Sequence, residues 1–268
     1  MLVKEDQGLS ITGATAFCAT QKQLQKLKIP GPFKETTDTG EGKIGEAIIA
    51  AALNNKKTGL GATGLREAGM RELESLRSAA DEETMTLLLG MFEETFQGAI
   101  NYLAVVDYDP LETGLWFKMQ LDGMTRPTRG QLDILARRDD KPLIIDLKRK
   151  KKKLTDYQIS MQHEWRWQLA SYAFWLMVDR NLDEIPACEI HVWIPGGQPQ
   201  IIKFDITGED IYESVAKLQQ YNFMLDNGWF PLARGHFLCK PKWCQAYQYC
   251  HETFFVPTDD LIKRARSI

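Results

Sequence analysis

The sequence predicts one α/β domain built around a mixed β-sheet, and three observations carry that expectation. Stretches with helical and strand-like periodicity come in the order helix, strands, helix, strands, helix. No internal repeat or low-complexity linker divides the chain. Of its 268 residues, 44% are hydrophobic and 26% charged, an ordinary globular balance in a chain long enough to bury a substantial core.

The elements follow in order. Residues 10–28 read as a short helix containing Cys18, and KIPGPFKETTDTGEG, Lys28 to Gly42, as a loop. A helix is expected from about Lys43 to Asn54. KKTGLGATGL lacks the lysine and hydroxyl placement of a phosphate loop and reads as a flexible Gly-rich connection. Helices are expected over Leu65–Ala80 and Glu82–Val105, the second capped by Asp81. GLWFKMQLDG alternates as a half-buried strand does, and GQLDILA and PLIIDLK are two more strands joined by the turn RRDDK. An aromatic-rich helix is expected over Asp156–Asp179. CEIHVWIP is a strand that QIIKFDI can pair with, and GEDIYESVAKLQQYNFMLDNG is a helix ended by Gly228.

Composition limits the function only loosely. The net charge is −3, so any affinity for nucleic acid must come from local clustering. MLVKEDQGLSITG has no signal-peptide pattern, and no stretch approaches the ~20 apolar residues of a membrane span. The expectation is an intracellular protein whose 5 cysteines are thiols or metal ligands.

The chemistry concentrates in GQLDILARRDDKPLIIDLKRKKKK. A hairpin centred near Asp139 sets Asp133 opposite Asp146, with opposed side chains about 5 Å apart at Cβ. Asp146 and Lys148 then project to one face, and Leu143, Ile145 and Leu147 to the other, towards the core. Two close carboxylates repel unless a cation lies between them, and hard oxygen ligands suit Mg²⁺ or Mn²⁺. Such an ion polarises a phosphoryl oxygen, and a neighbouring lysine stabilises developing charge. The bland alternative is a solvent-facing strand with ordinary charges. In EWRWQLASYAFWL, Glu164, Gln168 and Tyr172 share one helix face. The run Lys148, Arg149, Lys150, Lys151, Lys152 and Lys153 leaves the second aspartate's strand directly. It reads as a solvated loop or as a phosphate-attracting patch, with Trp165 and Trp167 as core residues or base-stacking platforms.

FLCKPKWCQAYQYC places Cys239, Cys244 and Cys250 close together, and Cys18 is a candidate fourth ligand. Four thiolates suit a [4Fe-4S] cluster or Zn²⁺. Cys188 opens a strand and reads as a buried thiol.

These residues resemble the PD-(D/E)XK nucleases, in particular the RecB-like exonuclease branch. GQLD ends at Asp133, DLK spans Asp146 to Lys148, and QLASY spans Gln168 to Tyr172, in the family's order and over about residues 40–180. The resemblance implies a restriction-endonuclease-like core with a central mixed sheet flanked by helices. It implies that Asp133, Asp146 and the Leu147 carbonyl bind metal, that Lys148 positions water, and that Gln168 and Tyr172 organise the site and contact substrate. The branch usually carries a His-Glu pair on its first helix. Here GKIGEAI has Gly45 where the histidine is expected, which leaves Glu46 as the candidate third metal ligand. One N-terminal and three C-terminal cysteines bracketing the core resemble the iron–sulfur RecB-like nucleases. That group includes helicase-nuclease subunits, CRISPR adaptation nucleases and phage exonucleases, and CKPKWC is most similar to its phage members, which implies the cytoplasm of a bacterial or phage-infected cell. Ala19 follows Cys18, where the family often has proline.

The expectation is thus a single nuclease domain over 1–268, with its core at about 40–225 and a cysteine clasp from 10–28 and 229–255. The implied function is Mg²⁺- or Mn²⁺-dependent hydrolysis of DNA at ends or in single strands, in recombination, repair or processing. The rivals are an inactive DNA-binding module on the same fold, an endonuclease, and a nuclease acting on RNA. A zinc-ribbon interaction protein would need a paired CxxC motif that the sequence lacks.

Overall fold

A computed structural model describes residues 9–10, 36–55 and 61–227. Cys18, Cys239, Cys244 and Cys250, and with them the expected cysteine clasp and most of the helix expected over 10–28, lie outside the described residues. The chain divides into two compact units, and residues 8–15 and 34–222 form the one described here.

Its elements are β1 (Leu9–Ser10), α1 (Thr37–Asn54), α2 (Ala62–Ser75) and α3 (Glu82–Leu103), then β2 (Asp109–Met119), β3 (Thr128–Arg138) and β4 (Lys141–Arg149). A short α4 (Asp156–Ser160) and a long α5 (His163–Arg180) lead to β5 (Ala187–Trp193), β6 (Gln200–Phe204) and α6 (Gly208–Asn227). The six strands form one mixed sheet in the order β1-β3-β4-β5-β6, with β2 along the other edge of β3. β4 and β5 run parallel, joined through α4 and α5, while β2–β3, β3–β4 and β5–β6 are antiparallel.

α2 spans Ala62–Ser75 and is followed by a 3₁₀ turn at Leu76–Ser78, where one helix over Leu65–Ala80 was expected, and two further helices differ from the sequence reading for a local reason. α1 begins at Thr37, inside the expected loop, because Thr36 and Thr39 form a reciprocal capping box. The helix expected over Asp156–Asp179 is broken, since Gln162 leaves helical geometry at φ −90° and ψ 55°. Asp81 does cap α3, accepting from the Thr84 amide at 3.0 Å. The hairpin turn falls between Arg138 and Lys141. Asp139 and Asp140 hold φ of 50° and 60°, which a tight two-residue turn demands of both central residues.

One face of the sheet is covered by α1 and α3. Ile44, Ile48, Leu88 and Phe92 bury there against Ile134, Leu143, Ile145 and Leu147. The alternation in PLIIDLK had directed those three β4 residues to the core. α5 packs on β4 and β5, and its Gln168 reaches Asp146. Cys188 is a buried free thiol, with burial foremost in pushing it up to about 12.

A buried polar chain ties α3 to the sheet. The His191 Nδ1 lies 2.8 Å from the Tyr102 hydroxyl, its Nε2 lies 2.8 Å from Glu189, and Arg138 donates two hydrogen bonds to the same carboxylate. Burial alone would raise the Glu189 pKa, but the hydrogen bonds from His191 and Arg138 hold it down at about 2. A depressed carboxylate stabilises the fold above its unfolded pKa of ~4.5 and loses that contribution as pH falls towards 2. Burial keeps His191 below its ordinary 6.5, so its contribution also fades on acidification. Glu189→Gln is therefore expected to cost about 3 kcal/mol at pH 7 and to flatten the acid limb below pH ~4.5. Urea unfolding from pH 3 to 7 measures both, and an unchanged acid limb would contradict the assignment.

Candidate active site

The site forms where β3 and β4 part. Their paired ladder ends at Ile134 opposite Ile145, and the next residues in register are Asp133 and Asp146. Asp133 replaces the missing rung, its carboxylate accepting from the Leu147 amide at 2.7 Å. Beyond the fork β1 takes over that edge of β3, beside Thr128 and Arg129.

Asp146 is 1% exposed. Its Oδ1 accepts from the Gln168 amide at 3.0 Å, and the same nitrogen lies 2.8 Å from the Tyr172 hydroxyl. Spacing on α5 had put Gln168 and Tyr172 on one face, and both prove to be buried on the Asp146 side. Glu164, one turn earlier, lies on the first turn of α5. The Asp146 Oδ2 is ion-paired with the Lys148 ammonium.

α1 brings Glu46 to a cleft of about 260 Å³ that Asp133, Leu147, Gln131, Gly114, Lys43 and Glu72 also line. Burial raises the Glu46 carboxyl to about 7, with the Asp146 charge adding to the rise and Lys148 opposing it. Asp133 is raised well above its ordinary value by burial and by Asp146. Burial pulls the Lys148 ammonium down, but Asp146 and Asp133 outweigh it and the net shift is upward. The three carboxylates and one ammonium are thus one electrostatic unit.

Its fit to a divalent cation rests on two observations. All the donors are hard oxygens, and the buried Asp146 Oδ2 is held by the Lys148 ammonium, a cation in the place a metal ion would take. Among the described residues no three acidic, histidine or cysteine side chains converge as a preformed metal cluster.

The basic run is divided by the structure. Arg149 has a side chain only 9% exposed, paired with Glu41 and Asp38 of α1. Its guanidinium therefore points into the protein, away from any phosphate track. Lys150 lies over the Trp165 ring, 5.3 Å from its centre, and burial lowers its pKa. Lys151 is 3.4 Å from Asp38, and Lys152 and Lys153 are exposed. Trp165 is buried, and Trp167 donates to Glu213 at 3.0 Å under the Lys217 ammonium. Both rings are taken up by packing rather than presented for base stacking.

Glu41 escaped the sequence reading. It is fully buried, accepts from Thr95 at 3.2 Å and pairs with Arg149, so it fixes the chain leaving β4. Its spacing from Ile44 and Ile48 puts it on the apolar face of α1, a signal hidden by starting that helix at Lys43.

Comparison with known proteins agrees with this geometry. The family model of the PD-(D/E)XK nuclease superfamily matches residues 46–251. The crystal structure of a protein from Eubacterium rectale named "Putative exonuclease" superposes with a TM-score of 0.54 at 14% identity, covering 90% of this chain and 87% of that one. The structure of SSO0001 has a TM-score of 0.39 at 15% identity, covering 78% of this chain and 97% of that one. No curated protein matches the sequence.

Proposed function

The chain belongs to the PD-(D/E)XK nuclease superfamily, and from that premise we propose that it is a divalent-metal-dependent deoxyribonuclease of the RecB-like branch, acting as an exonuclease on DNA ends or single strands. The observation that carries this reading is the fork itself. Asp133, Asp146 and Lys148 meet there, and Gln168 holds Asp146 from the opposite helix. The name of the Eubacterium rectale protein supports the exonuclease part.

Asp133, Asp146, Glu46 and the Leu147 carbonyl would hold Mg²⁺ or Mn²⁺, which when bound supplies charge stabilisation at the phosphoryl group. The chain's own residues do the rest. Gln168 fixes the rotamer of Asp146, and Tyr172 holds Gln168. The Lys148 ammonium is available to orient the attacking water and to stabilise charge developing on phosphorus. Lys151 to Lys153, exposed beyond the end of the same strand, would attract neighbouring phosphates. A cysteine clasp of Cys18, Cys239, Cys244 and Cys250, holding a [4Fe-4S] cluster or Zn²⁺, belongs to the same proposal.

Linear and circular single-stranded DNA separate the readings. Nucleotide release from the linear form alone supports an exonuclease, whereas nicking of circles would overturn that part and favour an endonuclease. DNA binding with no cleavage under any metal would favour the inactive binding module.

Proton competition gives a second expectation. A Glu46 carboxyl that titrates at about 7 must release its proton to serve as a ligand. Mn²⁺ affinity is expected to rise with pH from 5.5 through about 7. Glu46→Gln should flatten that rise and weaken binding. Calorimetric titration at several pH values checks this, and a pH-independent affinity in the wild type would remove Glu46 from the ligand set.

A further inference from the structure

We infer that the outer face of the β2–β3 arm is a track for a DNA single strand, with Trp116 stacking on a base as the strand enters the cleft at Asp133. The inference rests on the nuclease reading for what the strand is delivered to.

Trp116 is 68% exposed, which leaves a large amphipathic ring open to a partner that covers it. Its neighbour Phe117 is buried and stacks on Trp175 with ring centres 4.2 Å apart, so the strand turns Trp116 to the opposite side. Across the ladder Trp116 stands beside Gln131, and Lys118 stands beside Arg129. Directly opposed residues share a face, as do residues two apart. All four side chains are exposed. They form one stripe of an aromatic ring, an amide and two cations. Neither Lys118 nor Arg129 is held in an ion pair among the described residues.

The stripe ends at the candidate site. Gln131 lines the same cleft as Glu46 and Asp133 and donates to the Gly114 carbonyl at 3.3 Å. Gly114, also on the cleft wall, has φ of +62°, a conformation a residue with Cβ resists. That glycine keeps the wall low beside Asp133 and sets the direction in which Trp116 projects two residues later.

An exposed ring flanked by unpaired cations, running into a carboxylate cleft, matches single-strand recognition. Stacking there is sequence-tolerant because every base has a π-face, and the cations follow the backbone. Inside a duplex the bases are stacked on one another and offer no face to Trp116.

The test is fluorescence anisotropy with a labelled thymidine oligonucleotide in EDTA, so that turnover plays no part, with a duplex of the same length in parallel. Trp116→Ala is expected to weaken single-strand binding by about 10-fold and to leave duplex binding unchanged, with Trp116→Phe restoring most of the loss. The double variant Lys118→Ala/Arg129→Ala should lower the slope of log affinity against log salt by about 1.4. Trp116→Ala binding like the wild type, or losing single strand and duplex equally, would overturn the inference. Because binding is read without metal, a Trp116 effect in a protein that never cleaves DNA would sustain the track while the nuclease reading failed. Cleavage without a Trp116 effect would do the reverse.

Discussion

Lys148→Met is expected to bind Mn²⁺ more tightly than the wild type and yet to cleave DNA at least about a thousandfold more slowly. The two effects have opposite signs because the ammonium has two roles. In the free protein it neutralises Asp146 at Oδ2, the oxygen that Gln168 does not reach. A divalent ion must displace that ammonium to use the oxygen, so removing it favours the metal. On the proposed reading the same charge would face the negative charge developing on phosphorus, which methionine cannot stabilise. The variant also leaves Asp146 buried beside Asp133 with no cation, at a cost of about 3–5 kcal/mol without metal. Thermal unfolding with and without Mn²⁺ should therefore show a larger metal-induced rise than in the wild type. Weaker Mn²⁺ binding than the wild type would contradict this account.

Gly45→His should not restore a lost motif but should destabilise the fold by at least about 3 kcal/mol. A Cβ at Gly45 would lie 2.2 Å from the Trp193 Cζ2, 2.3 Å from its Cη2 and 2.8 Å from its Cε2. Trp193 is fully buried in the core with Ile44, Ile48 and Leu147, and its ring has nowhere to move. The glycine is thus fixed by close approach of the indole, which leaves no room for the histidine that the family usually carries there. Urea denaturation of Gly45→His and of Gly45→Ala checks the size of the effect. Wild-type stability in either variant would show that the indole yields.

The β-hairpin was the most legible part of the chain. The period-2 alternation in GQLDILA and PLIIDLK, with two aspartates between them, determines both the register and the faces. Asp133, Asp146 and Lys148 follow from that register, and Gln168 and Tyr172 from helical spacing. What stayed hidden depended on contacts distant in sequence. Gly45 makes sense only beside Trp193, and Glu41 only beside Arg149 and Thr95. Arg149 and Lys150 read as members of one cationic run, but strand alternation sends Arg149 inward to Glu41, and α5 places Trp165 beneath Lys150. Trp116 looked like one more alternating strand aromatic, because its exposure depends on Phe117 taking the buried side.

The most direct test of the central claim is release of nucleotides from end-labelled linear single-stranded DNA, with Mg²⁺, Mn²⁺ or EDTA, by the wild type beside Asp146→Asn. The account predicts metal-dependent release by the wild type, none in EDTA, and a loss of at least about a thousandfold in the variant. Cleavage by Asp146→Asn at the wild-type rate would contradict it.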